Sequence, residues 1–193
     1  MSQASKGILG AALALGILVL LQTWLVGRAR KQAGQTRTVS FWDLIVTSED
    51  ERYSLSRLQL YIWFLVIYAS WGAVCFATGQ LHELSEGLNL LLGINAGAAV
   101  SATAITAMKG APTSQTNAQP NFVQDIFFEK PGSLDLPRTQ MFAWTLVIAL
   151  GFIAVLIETF HAGNPKLPEV PLSLAVLMGI SHGAYLGVKA AAK

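Results

Sequence analysis

S-L-S-R-L-Q-L-Y-I-W-F-L-V-I-Y at residues 54–68 returns 81 residues later as D-L-P-R-T-Q-M-F-A-W-T-L-V-I-A at residues 135–149. The Arg, Gln and Trp of the two stretches occupy the same places. A second pair follows: L-L-G-I-N-A-G at 91–97 matches L-M-G-I-S-H-G at 177–183, now 86 residues apart. The pattern predicts a duplicated two-helix unit whose second copy has a longer connecting loop.

Charged residues make up only 12% of the 193 residues, about half of the usual quarter, and 53% are hydrophobic. They leave five uncharged runs, at 7–27, 58–81, 88–108, 139–157 and 171–188. Each is close to the ~20 residues that a helix needs to cross a bilayer. The sequence therefore predicts an all-α integral membrane protein with five transmembrane helices, the first of them retained as an anchor and not cleaved.

The basic residues predict an orientation. Of the 13 Lys and Arg residues, only Lys6 and Lys166 fall on one side of the five spans, and all others fall on the opposite side. The positive-inside rule then places the N-terminus outside and the C-terminus in the cytoplasm. Both two-helix units run in the same direction, so they are parallel repeats and not the inverted repeats of many transporters.

The chain divides into four segments. Residues 1–39 hold the anchor helix and a basic linker, 40–109 the first repeat, 110–120 a polar linker and 121–193 the second repeat. Aromatic amphipathic stretches at 41–45 and 122–128 precede the repeats and predict short interfacial helices on the cytoplasmic face.

Small residues recur four apart on the third and fifth predicted helices, which lets helix backbones approach closely in lipid. These faces predict helix packing inside a bundle or an oligomer, with the bulky second and fourth helices outside; a small face surrounding a pore is the alternative. The residues are Gly93, Gly97 and Ser101, then Gly179, Gly183 and Gly187.

Asn95 and Ser181 are equivalent in the two copies, and His182 adjoins the second. Inside a membrane such groups either hydrogen-bond between helices or line a polar path. Acidic and histidine side chains near the outer helix ends predict an external vestibule that would favour cations. They are Glu83, Glu86, Glu158, His161 and Glu169.

Arg57 and Arg138 recur with Gln59 and Gln140 at the cytoplasmic starts of the second and fourth helices. A helix N-terminus does not favour a cation. Their repetition therefore predicts a cytoplasmic interface with lipid phosphate or an acidic group, unless the arginines simply extend to the headgroups.

The motifs L-x-R-x-Q-x-x-x-W and G-I-S-x-G-x-x-x-G-x-K resemble those of a group of largely uncharacterised bacterial inner-membrane proteins with duplicated two-helix units. The resemblance covers residues 40–193, and the second copy carries the whole glycine motif through Lys189. In the first copy Asn95 and Ser101 replace a serine and a glycine. The resemblance implies the fold and a location in the bacterial inner membrane.

Two functions fit these patterns. The first is a structural, accessory or scaffold subunit of an oligomeric or larger membrane complex, with lipids and other subunits or further copies as partners. The second is a cation or small-solute pore formed by a homo-oligomer. No motif for catalysis, a metal, a cofactor or nucleic-acid binding occurs, so no enzyme activity is expected.

The orientation predicts where fusion proteins are active. A reporter that works only outside the cytoplasm should be active when it is inserted within 79–87 or 161–169. It should be silent within 110–120 and after Lys193. Activity in the 110–120 linker would contradict the predicted number of spans.

Overall fold

The computed structural model describes residues 2–33, 53–109, 121–130 and 133–191. Residues 28–33, predicted as the start of the basic linker, belong to the first helix; the rest of that linker, the 110–120 linker and the 41–45 stretch lie outside the described ranges. The long helices are α1 (Gln3–Ala33), α2 (Leu55–Thr78), α3 (Glu86–Lys109), α5 (Leu136–His161) and α6 (Leu172–Ala191). All five are long and apolar enough to cross a membrane, which confirms the predicted number of such helices.

The helix boundaries follow the spacing of the sequence pattern. α2 begins at Leu55 and α5 begins 81 residues later at Leu136. α3 begins at Glu86 and α6 begins 86 residues later at Leu172. The chain therefore forms two helical hairpins, α2–α3 and α5–α6, whose helices start at the same points of the pattern.

Four helices form a closed bundle, in which α2 packs on α3, α3 on α6, α6 on α5 and α5 on α2. Helix α1 lies outside this ring and packs mainly on α2, in the most extensive helix–helix contact of the described chain. The bulky helices α2 and α5 were predicted to lie outside the bundle, and this prediction is wrong: both are part of the bundle. They supply half of its interior, including the fully buried Trp63 and Met141.

The bundle has two ends, which we call the N-side and the C-side. The N-side holds the start of α1 and the loops at 79–85 and 162–171; the C-side holds the start of α2 and the end of α6. Contacts along α1 show that it runs opposite to α2, because Gly10 meets Gly72 near the N-side whereas Tyr61 donates to Gln22 Oε1 at 3.0 Å further along.

Two hydrophobic clusters fill the bundle, one at each end. The N-side cluster is centred on Trp63, Leu91 and Met178, and the loop residue Val170 belongs to it. The C-side cluster is centred on Leu58, Met141 and Tyr185. The interior is thus apolar at both ends.

Short structures on the C-side join the two hairpins. The helix α4 (Phe122–Phe127) ends where β1 (Phe128–Lys130) begins, and β1 pairs antiparallel with β2 (Ser133–Leu134). The predicted interfacial helix at 122–128 is thus one turn and a half of helix followed by a small hairpin. Its Ile126 is fully buried in the C-side cluster, whereas Phe122 and Val123 are exposed.

Close backbone approach fixes α1 on α2. A Cβ atom added at Gly10 would lie 2.6 Å from the Gly72 carbonyl oxygen, and one added at Gly72 would lie 2.8 Å from the Ala14 Cβ. Real Cβ atoms do not tolerate such distances, so both positions require glycine. Small residues at helix crossings allow this approach where hydrophobic driving force is weak.

Gly10→Leu is expected to detach α1 from α2, because the leucine side chain would overlap both the Gly72 carbonyl and the Phe76 side chain. Gly16→Leu places the same change on the same helix where an added Cβ meets nothing within 4 Å. A cross-link made by a short bis-maleimide between cysteines at Gln22 and Tyr61, whose native side chains are hydrogen-bonded, measures the contact. It should form with Gly16→Leu and be lost with Gly10→Leu; equal yields would contradict the packing.

Candidate functional site

Five polar side chains are buried between the two hydrophobic clusters. On every helix of the bundle they lie in sequence between the residues of the N-side cluster and those of the C-side cluster. We call this set the polar layer; it consists of Gln59 on α2, Asn95 on α3, Thr145 on α5, and Ser181 and His182 on α6. None of the five is more than 7% exposed.

Gln59 connects the two hairpins through this layer. Its amide nitrogen donates to the Met141 carbonyl oxygen at 3.0 Å and to the Thr145 hydroxyl. The Thr145 hydroxyl in turn donates to the same Met141 carbonyl at 3.1 Å. Gln59 was predicted to lie at a cytoplasmic interface, but the structure places it inside the bundle, where α5 provides these two acceptors for its amide nitrogen.

Asn95 and His182 hydrogen-bond within their own helices. The Asn95 amide nitrogen donates to the Leu91 carbonyl at 2.8 Å, and His182 Nδ1 donates to the Met178 carbonyl at 2.8 Å. A carbonyl oxygen only accepts, so Nδ1 carries the proton and Nε2 of the neutral ring is an acceptor. Both acceptor residues, Leu91 and Met178, belong to the N-side cluster around Trp63.

The three residues predicted to line a polar path are therefore together, but in the interior of a single chain. Asn95, Ser181 and His182 are buried on α3 and α6, two helices that pack on each other. Apolar side chains close the layer on both sides, including Leu88 towards the N-side and Tyr185 towards the C-side. The layer is an enclosed polar site and not a continuous path through the bundle.

The predicted packing glycines face outward. Gly93, Gly97, Gly183 and Gly187 are exposed, and a Cβ atom added at any of them would meet nothing within 4 Å. Ser101 is exposed as well, and only Gly179 has a near neighbour, with its added Cβ 3.4 Å from the Ile94 side chain. Within the described chain these glycines do not pack helices together; they leave two shallow, small-residue faces on α3 and α6.

The predicted vestibule residues all lie on the N-side. Glu158 and His161 share the last turn of α5, Glu86 begins α3, and Glu83 and Glu169 are in the two loops. All five are exposed, and the described residues contain no group of three or more metal-ligating side chains. His82, nearby, is instead bonded to the Thr78 hydroxyl at 2.8 Å, and its carbonyl accepts from Trp71 Nε1.

The two repeated arginines have different surroundings. Arg138 pairs with Asp135 at 2.8 Å, donates to the carbonyl of Asp125 at 3.1 Å and lies over the ring of Tyr185. It therefore ties α4 to the start of α5. Arg57 donates to the Thr103 hydroxyl at 3.5 Å. Gln140, the counterpart of Gln59, is exposed on the surface.

Comparison with protein families, with curated proteins and with solved structures finds no match to this chain. The geometry is thus the basis for any functional conclusion. The buried layer offers amides, hydroxyls and one imidazole. These groups can hydrogen-bond, but the layer contains no carboxylate that could act as an acid, a base or a counter-ion within the described residues.

Gln59→Leu is expected to destabilise the bundle by roughly 1–3 kcal/mol, since two buried hydrogen bonds between α2 and α5 are lost and only the Thr145–Met141 bond within α5 remains. Gln140→Leu makes the same change at the matching position of the second copy, where the side chain is exposed. Reversible unfolding in detergent compares the two variants. Equal stabilities would contradict the assigned role of Gln59.

Proposed function

We propose that this protein is a multi-pass membrane protein that serves as a structural or accessory subunit of an oligomeric or larger complex. The observation that carries the proposal is the pair of outward small-residue faces, Gly93–Gly97–Ser101 on α3 and Gly183–Gly187 on α6. Such faces bring helices close together in lipid.

The surface of the long helices supports a membrane location. Large apolar side chains are exposed along α1, α3, α5 and α6, among them Leu20, Val100, Leu150 and Ile180, each at least 65% exposed. Exposed apolar surface on this scale is unfavourable in water and marks a membrane or an interaction surface. We place the chain in the bacterial inner membrane with its N-side outside, following the distribution of lysine and arginine.

Small residues also mediate a helix–helix contact within the chain. At the α1–α2 contact, Gly10 and Gly72 allow backbone approach within one molecule. The faces on α3 and α6 have the same composition but no partner helix in the described chain. We expect a helix from a further copy or from another subunit to pack on these two faces.

The alternative is a pore formed by several copies around these faces. No observation favours it. Asn95, Ser181 and His182 lie inside the bundle, whereas the glycine faces point outward. Copies that assembled around the glycines would surround small and apolar residues such as Val100 and Ile180, and these would not replace an ion's hydration shell.

Gly183→Leu tests the proposal because it fills the face on α6 without touching the core of the chain. We expect the wild type in lipid nanodiscs to form a particle larger than its 20.7 kDa monomer, as further copies or with co-purifying membrane proteins. Gly183→Leu should reduce this particle to the monomer, as measured by mass photometry or native mass spectrometry.

Gly151→Leu is the matched control, since Gly151 is also exposed and open but lies on α5 outside both faces. It should leave the particle unchanged. A monomeric wild type with no co-purifying protein would disprove the structural-subunit function. Cation flux through liposomes containing the wild type would favour the pore instead.

A further inference from the structure

Four buried polar atoms, three in the polar layer and one on the adjacent Trp63, have no hydrogen-bond partner in the described chain. They are Gln59 Oε1, Trp63 Nε1, Asn95 Oδ1 and His182 Nε2. The four side chains are at most 3% exposed. Buried polar groups are nearly always bonded to protein or to ordered water, so four on adjacent turns of one bundle need a common explanation.

The packing places the residues that carry these atoms on adjacent turns of the bundle. Trp63 packs in the same cluster as Leu91 and Met178. The Asn95 amide nitrogen donates to the Leu91 carbonyl, and His182 Nδ1 donates to the Met178 carbonyl. Both residues therefore lie one helical turn from residues that share a cluster with Trp63. Gln59 lies one turn before Trp63 on α2. Three helices therefore present unpartnered polar atoms within about one helical turn of one another along the bundle.

We propose that the polar layer is a binding site for internal water between α2, α3 and α6. Three of the atoms are acceptors: the oxygens of Gln59 and Asn95, and Nε2 of the neutral His182 ring. The fourth, the Trp63 indole N–H, is a donor. A water molecule accepts from one donor and donates to two acceptors, and a buried water makes about three such hydrogen bonds.

The charge of the layer selects water over a cation. The acceptors are neutral amides and an imidazole, and the layer has no carboxylate in the described chain. An ion held here would bring an uncompensated charge into an apolar bundle, which is strongly unfavourable. A cation would also gain nothing from the indole N–H, which repels it.

The bound water would provide links that the protein does not make directly. The side-chain hydrogen bonds of Asn95 and His182 stay within α3 and α6, and of the three amide and imidazole side chains only Gln59 bonds to another helix, α5. Water shared by Trp63, Asn95 and His182 would join α2, α3 and α6 at the level where the two hydrophobic clusters meet. The site is separate from the outward glycine faces, so its test does not depend on assembly.

Nuclear magnetic resonance of the full chain in lipid bilayers tests the site. The protein has five tryptophans, and Trp63→Phe identifies the indole N–H signal of Trp63 in a ¹⁵N-tryptophan-labelled sample. We expect magnetisation transfer from water to the Trp63 indole proton. Trp71, whose indole donates to the His82 carbonyl at 2.8 Å, provides the reference signal of a protein-bonded indole.

Asn95→Leu removes one acceptor and fills its space, and it should abolish the water transfer to Trp63. Asn89→Leu is the matched control on the same helix, because Asn89 is exposed; it should keep the transfer. The wild-type measurement tests the proposed water site even if Asn95→Leu does not fold, because a lack of transfer to Trp63 would overturn the proposal. Transfer of wild-type intensity in a folded Asn95→Leu variant would overturn it too.

Discussion

The buried polar layer decides which faces of the helices turn inward. Apolar side chains occur all around these helices, so hydrophobicity alone does not orient them. Gln59, Asn95, Thr145 and His182 are different, because in the membrane location that we propose a polar group facing lipid has no water to bond. Burying them at one level aligns α2, α3, α5 and α6, and the clusters around Trp63 and Tyr185 pack on either side.

Small residues have two uses in this fold. At Gly10 and Gly72 they let α1 lie directly on the backbone of α2. At Gly93, Gly97, Gly183 and Gly187 they form surfaces that the chain leaves open. The first use completes one molecule, and the proposed second use joins molecules. The polar layer contains neither set of small residues. The contacts that stabilise the single chain are therefore separate from the surface that we propose for a partner.

Matching positions of the two similar sequence stretches differ in what they contact. Gln59 is buried and bonded to α5, whereas Gln140 is exposed; His182 is buried, whereas its counterpart Ala96 is exposed. Helix α1 adds a further difference, since it covers α2 and makes only a small contact with α5. Equivalent positions thus have different neighbours, and a pattern that repeats in sequence does not repeat in environment.

The sequence by itself determined the five long helices, their approximate positions and the kinds of residue that carry polar or small faces, because length, charge-free runs and spacing are local properties. It did not determine whether Gly183 or Gly10 packs within the chain, or that Gln59 reaches Met141 while Gln140 does not. Those outcomes depend on how each helix is rotated against its neighbours. Only the tertiary structure decided that rotation, because nearly every face of these helices is apolar and the few polar groups act together across four helices.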